Sequence, residues 1–582
     1  MILQPILNIA EICAQKGLTE VVLSPGSRCA HLTLAFTRHP RIKTYTITDE
    51  RSAAFVAMGI AQQKNTPVAL VCTSGSASLN YAPAIAEAFY QKIPLVIFTA
   101  DRPPEWIDQL DGQTIRQQNI YEQHVRASYQ LPADYSHPDA VWHIERIVNE
   151  AINAATGAAQ DQQGAPIHVN VPIREPFYPT ANEQVRFDPV KVIEVIPKQA
   201  TLDKSTWNRL LDQWEGIPDK LIVAGQHPHD PTLLKALDNI QQDYNIPIVG
   251  DVISNTHTLE KSVKYHDTFL GKPTEHLHSS FCPELLITYG RSLISKSLKL
   301  LLRKYRPRYH WHIGTEAVVA DTFQSLTHHI PVAPTYFFNQ LFSDLDFMNM
   351  LDGEQDEDNE MAQQWHQYNQ QAARHVAQFA FSDHALTEFE AIRYVLQVLP
   401  EGVVLHLANS MTVRYVNHLG LETIGNNQPR AQVFANRGTS GIDGSTSTAV
   451  GAALATPDQI VTLITGDLAF FYDRNGLWNN YVPKNLRIVL LNNHAGGIFR
   501  IINGAKEQPE LAEYFETQQP LNAHNTAKDF NLGYSLIKDR GNLKVQLADF
   551  FHESEQAKIL EIETDSSTNA AVFQAFKQGF KS

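Results

Sequence analysis

The sequence predicts an α/β protein made of three doubly wound parallel-sheet domains, the first and third pseudo-equivalent to one another. Short runs rich in valine, isoleucine and leucine alternate with helix-period segments from end to end, among them "EVVLSPGS", "PVALVCTSG", "PLVIFTADRP", "KLIVAGQ", "ELLITYG", "IVTLITGD" and "RIVLLNN". Runs that are apolar at nearly every position and close on Gly, Ser or Asp mark strands covered by helices on both faces, the condition of a parallel sheet. A chain of 582 residues is too long for one core and accommodates domains of ~150 to 200 residues each.

The N-terminal domain is expected over 1–185. Its opening stretch "MILQPILNIAEICAQKG" is apolar at helical intervals, lacks a basic leader and a cleavage site, and reads as the first helix. Segment 55–77, "FVAMGIAQQKNTPVALVCTSGSA", matches segment 447–469, "STAVGAALATPDQIVTLITGDLA": a small-residue helix with a glycine, a short connection, a strand and a glycine turn. The glycines fall at Gly59 and Gly75 in one copy and at Gly451 and Gly466 in the other, so the two ends of the chain read as related domains. A central Rossmann-like domain is expected over 190–350, from "KLIVAG", "IPIVGD", "ELLITYG" and "RYHWHIG". A polar, partly helical linker with little core follows at 351–384, and the C-terminal domain occupies 385–582.

Acids outnumber Lys plus Arg by 62 to 47, a formal charge of −15 with no long basic block, which argues against a nucleic-acid partner or an anionic membrane surface. An anionic substrate must then be held by a few local arginines. The four cysteines are scattered without a CxxC pair, as expected of reduced thiols in a cytoplasmic protein. No apolar run reaches the ~20 residues of a membrane-spanning helix, so no integral membrane segment is expected.

In "LITGDLAFF" a strand that reads as buried ends on Asp467. Ligands of open parallel sheets sit beyond the carboxyl ends of strands, where an acid repels phosphate unless a cation bridges them. Twenty-six residues later the next strand ends in Asn492-Asn493. An aspartate, an asparagine amide oxygen and a backbone carbonyl are hard ligands suited to Mg²⁺ or Ca²⁺ carrying a diphosphate. Taken alone, Gly466-Asp467 better suits a plain strand-end turn or an N-cap. Glu50, at the end of a strand in the other domain, equally suits the first turn of a helix.

The Asp467 to Asn493 pairing is similar to the thiamine-diphosphate motif, with Leu468 standing where a second glycine is usual. "SPGSR" (24–28), "TSGSASLNYAPAIAEAFYQKIPLVIFTADRPPE" (73–105), "NSMTVR" (409–414), "NRGTSGIDGSTSTAVGAA" (436–453) and "NNHAGGIF" (492–499) extend the likeness. Together they resemble the 2-succinyl-5-enolpyruvyl-6-hydroxy-3-cyclohexene-1-carboxylate synthase (MenD) family of the thiamine-diphosphate decarboxylase superfamily, in which Gly-Asp-Leu is typical. The resemblance covers both terminal domains strongly and the central one weakly. It implies that the terminal domains are the pyrimidine-binding and diphosphate-binding folds, and that the cofactors are thiamine diphosphate and Mg²⁺ or Mn²⁺. The substrates would be 2-oxoglutarate, which loses CO₂, and isochorismate, which receives the remaining carbanion equivalent in a 1,4-addition during menaquinone or phylloquinone synthesis. The active sites would lie at subunit interfaces of a homo-oligomer, dimer or tetramer.

Residue roles follow from the same resemblance. Glu50 would hydrogen-bond the pyrimidine N1′, burial raising its pKa. Ile442 would hold the cofactor bent, and Ile498 and Phe499 would wall the thiazolium, low polarity favouring decarboxylation. Ser410, Gly466, Asp467, Leu468 and Asn493 would complete the cofactor site, with Asp467, Asn493 and the Ala495 carbonyl as metal ligands. Both substrates are dianions, which suits the planar forks of Arg28, Arg102, Arg414 and Arg437. Ser27, Gln113 and Lys296 join these as substrate contacts, and Arg28, Gln113 and Arg414 join Glu50 as catalytic candidates.

Three other classes remain for comparison: an acetolactate synthase or 2-hydroxyacyl-CoA lyase, which would not need this arginine set; a non-catalytic cofactor-binding regulator, which would not need Glu50; and a histidine metal module. His310 and His312, and His227 and His229, lack a convincing third and fourth ligand. The glycine-rich "NRGTSGIDGS" is not a dinucleotide fingerprint, since it lacks the strand-to-helix GxGxxG and a following ribose-binding acid.

Overall fold

The computed structural model describes residues 3–158, 163–175, 178, 185–271, 279–316, 318–352, 359–381, 385–421, 423–424, 428–429 and 431–581. The acidic run at 353–358 of the expected linker lies outside the described residues.

Three parallel sheets organise the chain. The first, from edge to edge, contains Lys43–Thr46, Glu20–Leu23, Val68–Cys72, Leu95–Asp101, Pro166–Pro172 and Ala127–Gln130. The C-terminal sheet contains Ala431–Phe434, Val403–Leu407, Val461–Gly466, Leu486–Asn492, Lys558–Glu563 and Gly533–Ile537. Numbered in chain order within each sheet, both read 2-1-3-4-6-5, so the repeat seen in the sequence extends to identical topology. The central sheet has five strands, His328–Ile330, Tyr309–Ile313, Leu285–Tyr289, Lys220–Ala224 and Ile248–Gly250. Every residue of Val68–Cys72, Leu95–Asp101 and Leu486–Asn492 is buried, because helices cover both faces.

The helix over the polar stretch, Glu360–Gln378, is better buried than its composition predicts. Met361, Ala362, Trp365, Ala372 and Val376 are buried, and Trp365 Nε1 donates to the Phe281 carbonyl at 3.1 Å. The segment is packed onto the central domain, its apolar residues spaced along one face of the helix. No described helix is long and apolar enough to cross a membrane.

The terminal domains meet through the two helices of the repeat, Glu50–Lys64 and Ser445–Ala455, whose Phe55, Val56, Met58, Ala449, Val450 and Ala453 share one core. Their glycines face each other at the crossing. A Cβ on Gly59 would lie 2.2 Å from the Thr448 carbonyl oxygen, and one on Gly451 would lie 2.1 Å from the Val56 oxygen and 3.1 Å from Gly59 Cα. The crossing is therefore backbone against backbone, with no flexible side chain to yield.

Gly451→Ala tests the contact. Helix propensity alone would favour alanine by about 1 kcal/mol. Overpacking against a carbonyl that cannot move costs about 1–3 kcal/mol or more and should prevail, lowering the urea midpoint followed by circular dichroism. A midpoint at or above wild type would show that the helices can separate freely.

Candidate active site

In sheets of this order the crevice opens where strand order reverses, between the first and third strands. In the N-terminal domain the strands beside it run into Ser24–Arg28 and Thr73–Gly75. In the C-terminal domain they run into Ala408–Ser410 and Asp467. The motifs singled out from the sequence thus gather at two equivalent crevices.

Ser410 caps the helix Met411–Leu419 with φ 73°, a conformation costly for a residue other than glycine, by about 1–3 kcal/mol. The helix begins at the crevice, so its unpaired N–H groups are available to an anion there. Asp467 opens the helix Asp467–Tyr472 and is 2% exposed; one carboxylate oxygen accepts from Gln519 Nε2 at 2.8 Å. Burial pushes its pKa up to about 6. One strand over, the Asn493 amide donates to Glu388 Oε1 at 2.6 Å, and its oxygen accepts the Ala495 N–H at 2.9 Å. His494, at φ 59°, makes the turn between them, and the Ala495 carbonyl accepts from Gly497 N–H at 3.0 Å. Glu388 is fully buried, and burial, then the Asp467 charge, raises its pKa to about 8.

These groups fit a hard divalent cation. Asp467 supplies a carboxylate, and Asn493 Oδ1 and the Ala495 oxygen each retain a lone pair beyond the hydrogen bond they accept. Two buried acids within electrostatic reach, held by the Gln519 and Asn493 amides, form an environment that a cation would relieve.

The arginines form two groups. Arg414 Nη1 donates to the Ser410 carbonyl, and Arg437 Nη1 donates to Asn409 Oδ1 at 2.9 Å, so both flank the C-terminal crevice. Burial lowers the pKa of each, and the Arg437 charge lowers that of Arg414 further. At the N-terminal crevice, Arg28 is buried and donates to the Ile173 carbonyl at 2.8 Å. Arg102 pairs with Asp111 at 3.1 Å and donates to the Gly112 carbonyl at 2.9 Å. Arg28, Arg102 and Arg174 line a cleft of about 390 Å³. Ser27 and Gln113 are exposed; Gln113 has φ 55°, and its backbone packs against Gly75, itself at φ 88°, where a Cβ would meet it at 3.3 Å. Lys296 is exposed at the start of the central-domain helix Lys296–Lys304.

Of the apolar candidates, Ile442 is 39% exposed, while Ile498 and Phe499 are half-buried on the turn Gly497–Arg500, Phe499 with its ring centroid 5.7 Å from that of Phe515. Gly466 and Leu468, flanking Asp467, are also half-buried.

Glu50 stands apart from the metal-ligand cluster. It is half-buried at the start of its helix and accepts from Asn80 Nδ2 at 3.2 Å. Its neighbours touch the far end of the Asp467–Tyr472 helix and the turn Arg474–Leu477 that follows: Asp49 accepts from Asn475 Nδ2 at 2.8 Å, and Arg51 donates to the Tyr472 carbonyl at 2.8 Å. Among the described residues, no hydrogen bond or ion pair joins Glu50 to Asp467, Asn493 or Ile442 within one chain.

Three residues that organise the site escaped sequence reasoning. Glu87, buried in the N-terminal domain, accepts from Gly438 N at 2.7 Å and from Thr439 N and Oγ1 at 2.6 Å, pinning the loop that carries Arg437 and Ile442. Gln519 holds Asp467, and Glu388 holds Asn493. Glu388 was hidden inside "TEFEAI", which has the pattern of a capping box, and Thr387 does cap that helix. Glu87 and Gln519 belong to no local pattern.

The histidine candidates are structural. His310 and His312 both bond Thr288 Oγ1, at 3.0 and 2.9 Å, and burial lowers the pKa of each. His227 and His229 are likewise lowered by burial, with His227 Nδ1 on the Pro228 carbonyl. Asp251, His266 and Asp267 cluster closely enough for a metal. Their carboxylates are already engaged by the Ile294 and Ser295 amides, Ser295 Oγ and Asn417 Nδ2, which makes the cluster a joint between the central domain and the helix bearing Arg414.

The raised pKa of Asp467 has a signed consequence for stability. A buried acid whose folded pKa exceeds its unfolded value destabilises the fold at high pH, and this penalty is relieved as pH falls through about 6 toward about 4. In metal-free protein prepared by chelation, Asp467→Asn should therefore gain about 1–3 kcal/mol at pH 8 and less at pH 5, by thermal denaturation. A variant less stable than wild type at pH 8 would contradict it.

Residues 8–124 match the thiamine pyrophosphate enzyme N-terminal TPP binding domain, and 418–562 match the C-terminal TPP binding domain. The chain is 45% identical to a 2-succinyl-5-enolpyruvyl-6-hydroxy-3-cyclohexene-1-carboxylate synthase of Cytophaga hutchinsonii, over 99% of each chain. Proteins of the same name from Flavobacterium psychrophilum and Porphyromonas gingivalis are 40% and 35% identical, covering 97% and 98% of this chain and 96% of each relative. With full-length similarity of this degree, and with both thiamine pyrophosphate binding domains matched, the chain belongs to the 2-succinyl-5-enolpyruvyl-6-hydroxy-3-cyclohexene-1-carboxylate synthase family of thiamine pyrophosphate enzymes.

Proposed function

We propose that this protein decarboxylates 2-oxoglutarate and adds the remaining four-carbon unit to isochorismate, giving 2-succinyl-5-enolpyruvyl-6-hydroxy-3-cyclohexene-1-carboxylate in menaquinone or phylloquinone biosynthesis. The observation that carries this reading is the buried pair Asp467 and Asn493 beside the C-terminal crevice, flanked by Arg414 and Arg437.

Thiamine diphosphate, when bound, supplies the electron sink that lets a 2-oxo acid lose CO₂ and react as a nucleophile. Asp467, Asn493 Oδ1 and the Ala495 carbonyl would hold Mg²⁺ or Mn²⁺, and Ser410, Gly466 and Leu468 would receive the diphosphate. Glu50 would donate a proton to the pyrimidine N1′ and take it back. Ile442 would shape the space between the cofactor rings, and Ile498 and Phe499 would exclude water where charge is neutralised. Arg414 and Arg437, together with Arg28 and Arg102, would pair with the four carboxylates of the two dianions, and Ser27, Gln113 and Lys296 would add hydrogen bonds.

Because Glu50 and Asp467 face different partners within one chain, the reading requires a homo-oligomer in which Glu50 of one subunit serves the metal site of another. Purified protein given thiamine diphosphate, Mg²⁺, isochorismate and 2-oxoglutarate should release CO₂ and consume isochorismate; pyruvate in place of 2-oxoglutarate should not substitute. Turnover with pyruvate alone would favour an acetolactate synthase-like activity.

Glu50→Gln and Asp467→Asn should each abolish most turnover, the first while retaining cofactor binding. Co-expressed, they should recover about a quarter of wild-type activity, because half of randomly paired dimers carry one fully native site. No recovery from verified heterodimers would rule out sharing between subunits.

A further inference from the structure

The Asn493 amide has two ends, and only one of them can serve a cation. Glu388 decides which. Its carboxylate takes the Asn493 Nδ2 donor at 2.6 Å, the Tyr415 hydroxyl lies close enough to favour its charged form, and it is 3% exposed. Glu388 is itself held, since its backbone N–H donates to Asn569 Oδ1 at 3.0 Å and the Asn569 amide donates to Thr564 Oγ1 at 2.9 Å. With Nδ2 committed to a carboxylate, Oδ1 faces the other way, toward the Ala495 turn, as a hard oxygen donor. With Glu388 ionised, the form that a cation at the Asp467 site would favour, a rotated amide would set Oδ1 against the Glu388 oxygen, an acceptor facing an acceptor.

We infer that Glu388 is a positioning residue, which tightens divalent-cation binding by fixing the Asn493 side chain with its oxygen toward the Asp467 site. Glu388 touches neither substrate nor cofactor in this account and acts through Asn493 alone. Partners that orient a ligand from behind typically change metal affinity 10- to 100-fold when removed. The inference rests on the proposed metal role of Asp467 and Asn493.

Three variants separate the possibilities, each checked for wild-type circular dichroism. Glu388→Leu removes the acceptor; Glu388→Gln keeps an amide oxygen for Asn493; Tyr415→Phe keeps the ring and removes the hydroxyl that favours the Glu388 carboxylate. The readout is the Mg²⁺ concentration that half-saturates thiamine diphosphate binding, by isothermal titration calorimetry at fixed cofactor, with no turnover required. Glu388→Leu should raise this midpoint at least about 10-fold, with binding recovered at high Mg²⁺. Glu388→Gln should stay within about threefold of wild type, and Tyr415→Phe should shift the midpoint upward by about threefold, which keeps the test alive if the leucine variant does not fold.

Wild-type midpoints in Glu388→Leu and Tyr415→Phe, with wild-type protein still requiring Mg²⁺, would overturn this inference and leave the metal site standing. Cofactor binding by wild-type protein that ignores Mg²⁺ altogether would overturn both.

Discussion

Gly59 and Gly451 let two helices from opposite ends of the chain close until each backbone touches the other, and that approach sets the relative position of both crevices. Any side chain at either glycine would push against a carbonyl oxygen held in a helical hydrogen bond, so the separation has little freedom. The same contact extends outward. Gly444, at φ 74° just before the second helix, lies so close to Phe55 that a Cβ there would come within 2.3 Å of its ring. Glu87 then ties Gly438 and Thr439 to the N-terminal domain, so the loop bearing Arg437 and Ile442 takes its position from both domains.

Charge is arranged against the overall balance of the molecule. A protein with net charge −15 that handles dianions must keep its cations local, and the guanidiniums of Arg28, Arg414 and Arg437 are substantially buried, each bonded to a carbonyl or amide oxygen of its own crevice. At Arg414 and Arg437 such contacts orient the guanidinium without neutralising it, leaving its charge available to a carboxylate. The C-terminal domain does the reverse with Asp467 and Glu388, two acids whose burial raises their pKa. Stability is lower for it, a compromise common where a site must bind a cation.

Behind the motif residues stands a consistent set of partners. Gln519 holds Asp467, Glu388 holds Asn493, and Glu561 holds Asn492 at 2.6 Å. On the central domain, Asp251 and Asp267 share the Asn417 amide, one turn beyond Arg414 on the same helix. Asp467, Asn493 and Asn492 are thus each held by a side chain outside the proposed ligand set, which is how a site made from loop residues keeps its geometry.

The sequence by itself determined the α/β class, the kinship of the two terminal domains and the gathering of motifs at strand ends, because apolar periodicity and glycine turns are local properties. Leu468 in place of a second glycine, and Asp467 paired with Asn493, were legible for the same reason. The tertiary structure decided what holds those residues. Glu388 and Asn493 are 105 positions apart, and Glu87 and Gly438 are 351 apart, with no shared pattern between them. It also revealed that the polar stretch buries Trp365, which composition averaged over its many polar neighbours had masked. Partners of this kind are selected by where packed helices place them, and packing is a property of the whole chain rather than of any segment.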